Sequence, residues 1–333
     1  MRAGPNRKSK IRPVPCLSSP NGDVIVRLTY REEPVALGPS ARSTLASRIG
    51  QYTSRRDVQR LGAEGRRRPG CRRFDRDDGR HVPPLNGVEG AVAVVTGGSR
   101  GLGKDIADAL ADRGATVVAV ARTVERYRAD VRDPVQVARL ARDVNEAFGP
   151  PTLLVNAAGV FGPLERFRDA DPAAWVETMM IDAIGPYLMC RAFVGGMIEA
   201  GWGRIVNVSS AASLHPPSAV ASAYATAKAA LNQMTRHLAA DLAGTGVTAN
   251  VIHPGDVRTA MWAEIRDEAA RVGEVATSLA EWASWVEATG GDPPEKAVEL
   301  VLRIIESDVN GQFLWIDDPL RAPIPSWSDA PKS

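Results

Sequence analysis

From about residue 86 to 318 the chain alternates short apolar runs with amphipathic stretches. The runs at 91–95, 116–121, 153–155, 205–208, 247–252 and 313–316 are compact and rich in Val and Ile. Each predicts a strand buried on both faces. Between them the spacing predicts helices over about 102–113, 134–148, 172–200, 222–243 and 294–307. In the first, Leu102, Ile106 and Leu110 recur every four residues and mark one apolar face. Strand–helix alternation of this kind predicts an α/β domain over 86–318, built on a doubly wound parallel sheet. No repeat of solenoid period is present.

Before residue 86 the pattern stops. Apolar residues are sparse apart from 24–28, and Arg, Pro, Gly and Ser dominate. The net charge of +2 hides +11 on residues 1–86 and −9 on the remainder. Arginine clusters such as Arg66-Arg67-Arg68 repel one another and favour solvation. Residues 1–85 are therefore expected to be a disordered basic extension, too polar to offset its ordering entropy. Three readings stay open for it: no role (including a start codon placed too early), an arm for nucleic acid or an anionic surface, or an organelle transit peptide. Residues 319–333, with four prolines, predict an irregular tail.

Composition narrows the class. Apolar content is 44%, enough for a sizeable core. No run approaches the roughly 18 apolar residues of a membrane span, so no membrane partner is expected. The first thirty residues lack the apolar stretch of a secretory signal. Cys16, Cys71 and Cys190 are too few and scattered for a disulfide framework, which points to a reducing, cytoplasmic setting. The four histidines show no ligand spacing, so no metal is expected.

The first strand runs into Thr96-Gly97-Gly98-Ser99-Arg100-Gly101-Leu102-Gly103. Glycines allow backbone angles that a Cβ would forbid and let a diphosphate approach the main chain. The following helix offers its N-terminal N–H groups and positive dipole end. Strand, glycine turn and helix in succession predict dinucleotide binding through Gly97, Ser99, Arg100, Gly101, Leu102 and Gly103. Arg122 follows the second strand, where NAD-binding folds carry an acid for the adenosine ribose. Arg100 and Arg122 together would clamp a 2′-phosphate, which favours NADP(H) over NAD(H).

Further pieces carry a family resemblance: Asn156-Ala157-Ala158-Gly159, Ile205-Val-Asn-Val-Ser-Ser210, Tyr224-Ala-Thr-Ala-Lys228 and Pro254-Gly255, in order after the glycine turn. The chain resembles the short-chain dehydrogenase/reductase family over roughly 86–318, nearest in flavour to its 3-oxoacyl-carrier-protein reductases. The resemblance implies a Rossmann-like fold and hydride exchange between a nicotinamide and a carbonyl or alcohol. Tyr224 would be the general acid/base and Lys228, one helical turn on, would lower its pKa and hold the nicotinamide ribose. Ser210 would donate to the substrate oxygen, with Ser209 as its rival. Asn156, Ala157, Ala158 and Gly159 would border the adenosine half of the cofactor. Pro254, Gly255 and Thr259 would line the nicotinamide, and Asp130 and Val131 the adenine. The two long helices, 172–200 and 222–243, would pair into a homodimer or homotetramer.

Two departures qualify the resemblance. Asp182 stands where the family carries an Asn of its proton relay, and its charge is expected to pair with Lys228 and weaken the lysine's pull on Tyr224. The connection from Thr123 to Arg126 is too short for a crossover helix before Tyr127 to Asp130. Either that third strand is lost or the second ends early. The substrate side would come from loops at about 211–222 and 256–292. The latter's Met261, Trp262, Trp282 and Trp285 either receive an apolar substrate or pack the lid onto the body. Asp317-Asp318 replaces a glycine-rich ending of the family. The alternatives to an active reductase are a weakly active cofactor binder and an Arg-tailed nucleic-acid binder on this scaffold.

Overall fold

The computed structural model describes residues 87–320; the extension 1–85 and the tail beyond Leu320 lie outside the described residues. The described chain forms six parallel strands in the order β2-β1-β3-β4-β5-β6. They are β1 Val92–Thr96, β2 Thr116–Val120, β3 Leu153–Asn156, β4 Gly203–Val208, β5 Val247–His253 and β6 Phe313–Trp315. All residues of β3 and β5 are buried, as a sheet covered on both faces requires. One face carries α1 (Gly101–Asp112) and α8 (Pro294–Ile305), whose Ile106, Leu110, Leu300 and Ile304 pack on Val95 and Leu153. The other face carries α2 (Pro134–Phe148), α4 (Gly185–Ala200) and α5 (Ser222–Asp241), with Val144, Met189, Phe193 and Ala239 against Leu154 and Ile205. The chain leaves β1 toward β2 and later returns to β3 on the other side. The C-terminal ends of β1 and β3 therefore bound the crevice where such sheets take ligands.

Local chemistry sets the helix ends. Asp133 accepts from the N–H groups of Val135 and Gln136, with Pro134 in the first turn of α2. Asp171 does the same for α3 (Pro172–Met179) through Ala173 and Ala174. Gly201, at φ 70°, ends α4 in the left-handed region. The expected helix over 172–200 is interrupted by a π turn, Met180–Ile184, which buries Ile181, Asp182 and Ala183. By length and composition Pro172–Ala200 is apolar enough to cross a membrane, and half of that window is buried inside the fold.

Of the two alternatives for the short connection the first holds: residues 127–130 form no strand, so β2 is the edge of the sheet among the described residues and the third strand of the family pattern is lost. Instead the Ala129 N–H donates to the Ala121 carbonyl (3.3 Å), and Tyr127 takes a positive φ of 60°. A left-handed tyrosine is strained, and the packing of its ring near Phe148 and beneath the Arg126 guanidinium holds it there. The stretch at 256–292 is not a loop but two further helices, α6 (Ala260–Val272) and α7 (Thr277–Thr289), which form a lid.

Arg204 in β4 is a structural keystone. Its guanidinium donates to the carbonyls of Ile305, Ser307, Gly203 and Gly246 and to the Asp308 carboxylate, at 2.8–3.2 Å. It satisfies the orphan carbonyls at the C-terminal end of α8. Arg204→Met keeps the apolar stem but leaves those acceptors unpaired, and is expected to cost about 2–4 kcal/mol in urea unfolding with cofactor binding retained.

Candidate active site

The site begins at the turn between β1 and α1. Gly97 has φ 70°, and a Cβ there would lie 2.9 Å from the Ala157 carbonyl oxygen. A Cβ on Gly103 would lie 2.5 Å from the Gly97 carbonyl oxygen. Only glycine lets the turn and the helix close on one another and on the small residues after β3. The Thr96 hydroxyl ties the two segments by accepting from the N–H groups of Ala157 and Ala158 (3.1 and 3.2 Å). The result is a backbone-lined cradle beside the first turn of α1, where N–H groups lack helical partners.

The cradle opens into a 780 Å³ cavity running along the C-terminal ends of the strands to the lid. Gly97, Ser99, Arg100, Gly101, Leu102, Gly103, Arg122, Asp130 and Val131 line one end. Ala157, Ala158, Gly159, Ser210, Tyr224, Lys228, Pro254, Gly255 and Thr259 line the rest. Asn156 and Asp182 do not. Asn156 turns into the core, where its amide donates to Asn207 Oδ1 (2.8 Å), its register partner on β4. Asn207 in turn donates to Thr235 (2.8 Å). The Asn156 side chain thus makes a strand-to-strand bond beneath the site, while Ala157, Ala158 and Gly159 after it line the cavity.

Tyr224 and Lys228 project from the first turns of α5, and the Lys228 ammonium sits 5.4 Å from the tyrosine ring centre. Lys228 Nζ donates to the Val208 carbonyl at 3.0 Å and lies 3.1 Å from Asp182 Oδ2. Asp182 is fully buried, and its other oxygen accepts from the Val160 N–H (2.9 Å). The π turn delivers this carboxylate, as an extra main-chain residue in a helix re-aims the side chains around it. Burial pushes the Asp182 carboxyl up. Burial works against the Lys228 ammonium, yet the carboxylate beside it and the nearby phenol bring its pKa above the usual value, so it stays charged at neutral pH. Burial also raises the Tyr224 phenol, helped by the Asp182 charge and opposed by Lys228 and a hydrogen bond with Ser210.

The two serines separate. Ser209 is buried and donates to Asn232 Oδ1 (2.7 Å). The Asn232 amide donates to the Ser213 hydroxyl (2.8 Å), which donates to the Ser210 carbonyl (2.6 Å). Ser210 Oγ accepts from the Ala212 N–H (3.2 Å), and its hydroxyl stands beside the Tyr224 phenol. His253 Nδ1 accepts from the Ala211 N–H (3.2 Å), and burial lowers its pKa, so it is a neutral brace under the Ser210 turn. Asn232 and His253 were not singled out in the sequence. The signals were there: Asn232 is one helical turn after Lys228, and His253 directly precedes Pro254-Gly255.

At the opposite end Arg100 and Arg122 are exposed, and the Ser99 and Thr123 hydroxyls meet at 3.4 Å. Arg100 also approaches Glu264 on α6 at 4.0 Å. The Asp130 carboxylate is clasped by Arg132, through Nη2 at 2.6 Å and Nε at 3.0 Å, which holds its pKa below the usual carboxylate range. At the end of the sheet Asp317 pairs with Lys296 (3.0 Å), so the acid that replaces the glycine-rich ending binds α8.

The match to known proteins agrees with this geometry. Residues 91–270, more than half of the chain, match the family described as short chain dehydrogenase. A short-chain type dehydrogenase/reductase of Picea abies is 35% identical over 209 residues, covering 54% of this chain and 76% of that protein. The 3-oxoacyl-acyl-carrier-protein reductase of Vibrio cholerae is 32% identical over 197 residues, covering 54% and 79%. Among solved structures, a variant of actinorhodin polyketide ketoreductase with NADPH has a TM-score of 0.62 at 29% identity, covering 68% of this chain and 95% of that one.

Proposed function

We propose a specific hydride-transfer reaction for this protein, starting from the fact that the chain belongs to the short-chain dehydrogenase family. It is an oxidoreductase acting between C=O and CH–OH groups. In our reading the cofactor is NADP(H) and the residues that move the proton are Tyr224, Lys228 and Ser210. The observation that carries this is their convergence on one end of a cavity whose other end is the Gly97–Gly103 cradle. A backbone-lined turn that only glycine at 97 and 103 allows to close, beside the N-terminus of a helix, fits a diphosphate.

When bound, the nicotinamide supplies or accepts the hydride. The chain's own residues do the rest. Ser210 offers its hydroxyl proton to the substrate oxygen. In reduction Tyr224 Oη gives up its proton to that oxygen; in oxidation it takes one. Because its pKa is raised, Tyr224 is protonated at neutral pH and poised for reduction. The Lys228 ammonium limits the cost of the phenolate left behind. The test is a panel of carbonyl compounds assayed with NADPH. Oxidation of NADPH in step with alcohol formation supports the reading; binding without turnover of any carbonyl removes it.

The NADP(H) preference rests on Arg100 and Arg122, the cations lining the cradle end among the described residues. Replacing both by Ala is expected to weaken NADPH binding about 10-fold or more while leaving NADH binding as it was, read by fluorescence titration. A second reading, a cofactor binder of low activity, is favoured by the Asp182–Lys228 contact and by the Arg132 clasp on Asp130. The same panel separates the two by rate. A cytoplasmic setting and a homo-oligomer belong to the proposal as well. Cys190 is a free buried thiol whose pKa burial pushes up to about 12. Val176, Ile184 and Tyr187 leave apolar surface exposed along the long helix that the family pairs between subunits. The nucleic-acid reading concerns residues outside the described ones.

A further inference from the structure

We infer that the substrate half of the cavity is built for a flat, uncharged aromatic carbonyl or carbinol; this rests on Tyr224 being the proton donor. The wall beside the phenol is itself an aromatic face. Phe161, from the segment after β3, lies with its ring centre 4.7 Å from that of Tyr224 and tilted by 31°. A ring carrying the reacting carbonyl therefore meets π surface where it approaches the phenol.

The lid supplies further wall of the same cavity. Its three tryptophans have separate fates. Trp262 is 3% exposed and held between the Arg258 and Arg266 guanidiniums at 4.9 Å each, so it anchors the lid. Trp285 is 49% exposed and does not line the cavity. Trp282 is half-buried and lines it, with Met261 and Leu279. These same side chains pack with Phe161 against the buried Leu164, Val220 and Ile265, which ties both walls into one apolar cluster.

Charge disfavours acidic substrates. Among the described residues the arginines and lysines lining the cavity are Arg100, Arg122 and Lys228. The first two stand at the cradle end, and Lys228 is paired with Asp182. Toward the lid the acid Asp256 lines the wall. A carboxylate or phosphate on the body of the substrate would meet no free arginine or lysine there, a cost that a neutral ring does not bear.

The test uses the full chain with NADPH and three ketones of similar size: acetophenone, cyclohexyl methyl ketone and 4-acetylbenzoate. We expect kcat/KM for acetophenone to exceed that of the saturated analogue by about 10-fold and that of the carboxylate by about 100-fold. The aromatic-to-saturated ratio should fall to near one in Phe161→Leu and in Trp282→Leu, and survive in Trp282→Phe. Equal use of the aromatic and saturated ketones, or preference for the carboxylate, overturns this inference while leaving hydride transfer intact, since NADPH is still consumed. If NADPH binds but no ketone turns over, calorimetry on the NADP+ complex decides: the same order of affinities supports the aromatic slot, and no saturable binding overturns it. A protein that fails to bind NADPH at all overturns the proposed function itself.

Discussion

Tyr224→Phe lowers the turnover of any carbonyl this protein reduces by about 10²–10⁴-fold, the range lost when a positioned proton donor is removed. The ring stays, so its contacts with Phe161 and the Lys228 ammonium stay too. The fold is expected to melt as before and NADPH to bind within a few-fold of the parent, because the cradle at Gly97 and Gly103 does not depend on the phenol oxygen. Loss of rate without loss of binding is the signature of an interaction used at the chemical step. Steady-state assays with a responsive carbonyl, paired with a cofactor titration, check this. Retained turnover would remove Tyr224 from the mechanism.

The second large effect belongs to Asp182. Asp182→Ala leaves the buried Lys228 ammonium without its carboxylate and orphans the Val160 N–H. Breaking a buried pair on one side costs about 3–5 kcal/mol, which for a domain of this size lowers the melting midpoint by roughly 10 °C. Asp182→Asn is the gentler probe, because an amide oxygen still accepts from Val160. The Asp182 charge raises the pKa of both Tyr224 and Lys228, so removing it lowers both. Reduction requires the protonated phenol and is lost as pH rises through its pKa; its alkaline limb therefore moves to lower pH. Oxidation requires the phenolate, and its onset moves to lower pH as well. Rate profiles in both directions test this, and turnover unchanged across the pH range would contradict a role for the pair.

Much of this was legible along the chain for physical reasons. Parallel strands buried on both faces read as near-continuous apolar runs, and Val92–Thr96 could be little else. The lost third strand was announced by length, since four residues cannot carry a crossover helix. The lid was harder to see. Trp262, Ile265 and Ala269 do fall on one face of α6, but the spacing is diluted by the many charged neighbours. The π turn had no local signature, so an acid in the place of an amide revealed a charge but not the 3.1 Å contact it makes. The inward turn of the Asn156 side chain was not legible either, because its direction is decided by pairing with Asn207, fifty-one residues away. The Arg132 clasp on Asp130 is the opposite case: two residues apart in sequence, yet dependent on a loop conformation that spacing alone does not specify.

The central claim is that the cradle and cavity hold a nicotinamide dinucleotide with its reactive end toward Tyr224. Titration of the full chain with NADPH and with NADH, followed by nicotinamide fluorescence, tests it most directly. The account predicts saturable binding of NADPH, about 10-fold tighter than NADH through Arg100 and Arg122. A flat titration with both cofactors would contradict it.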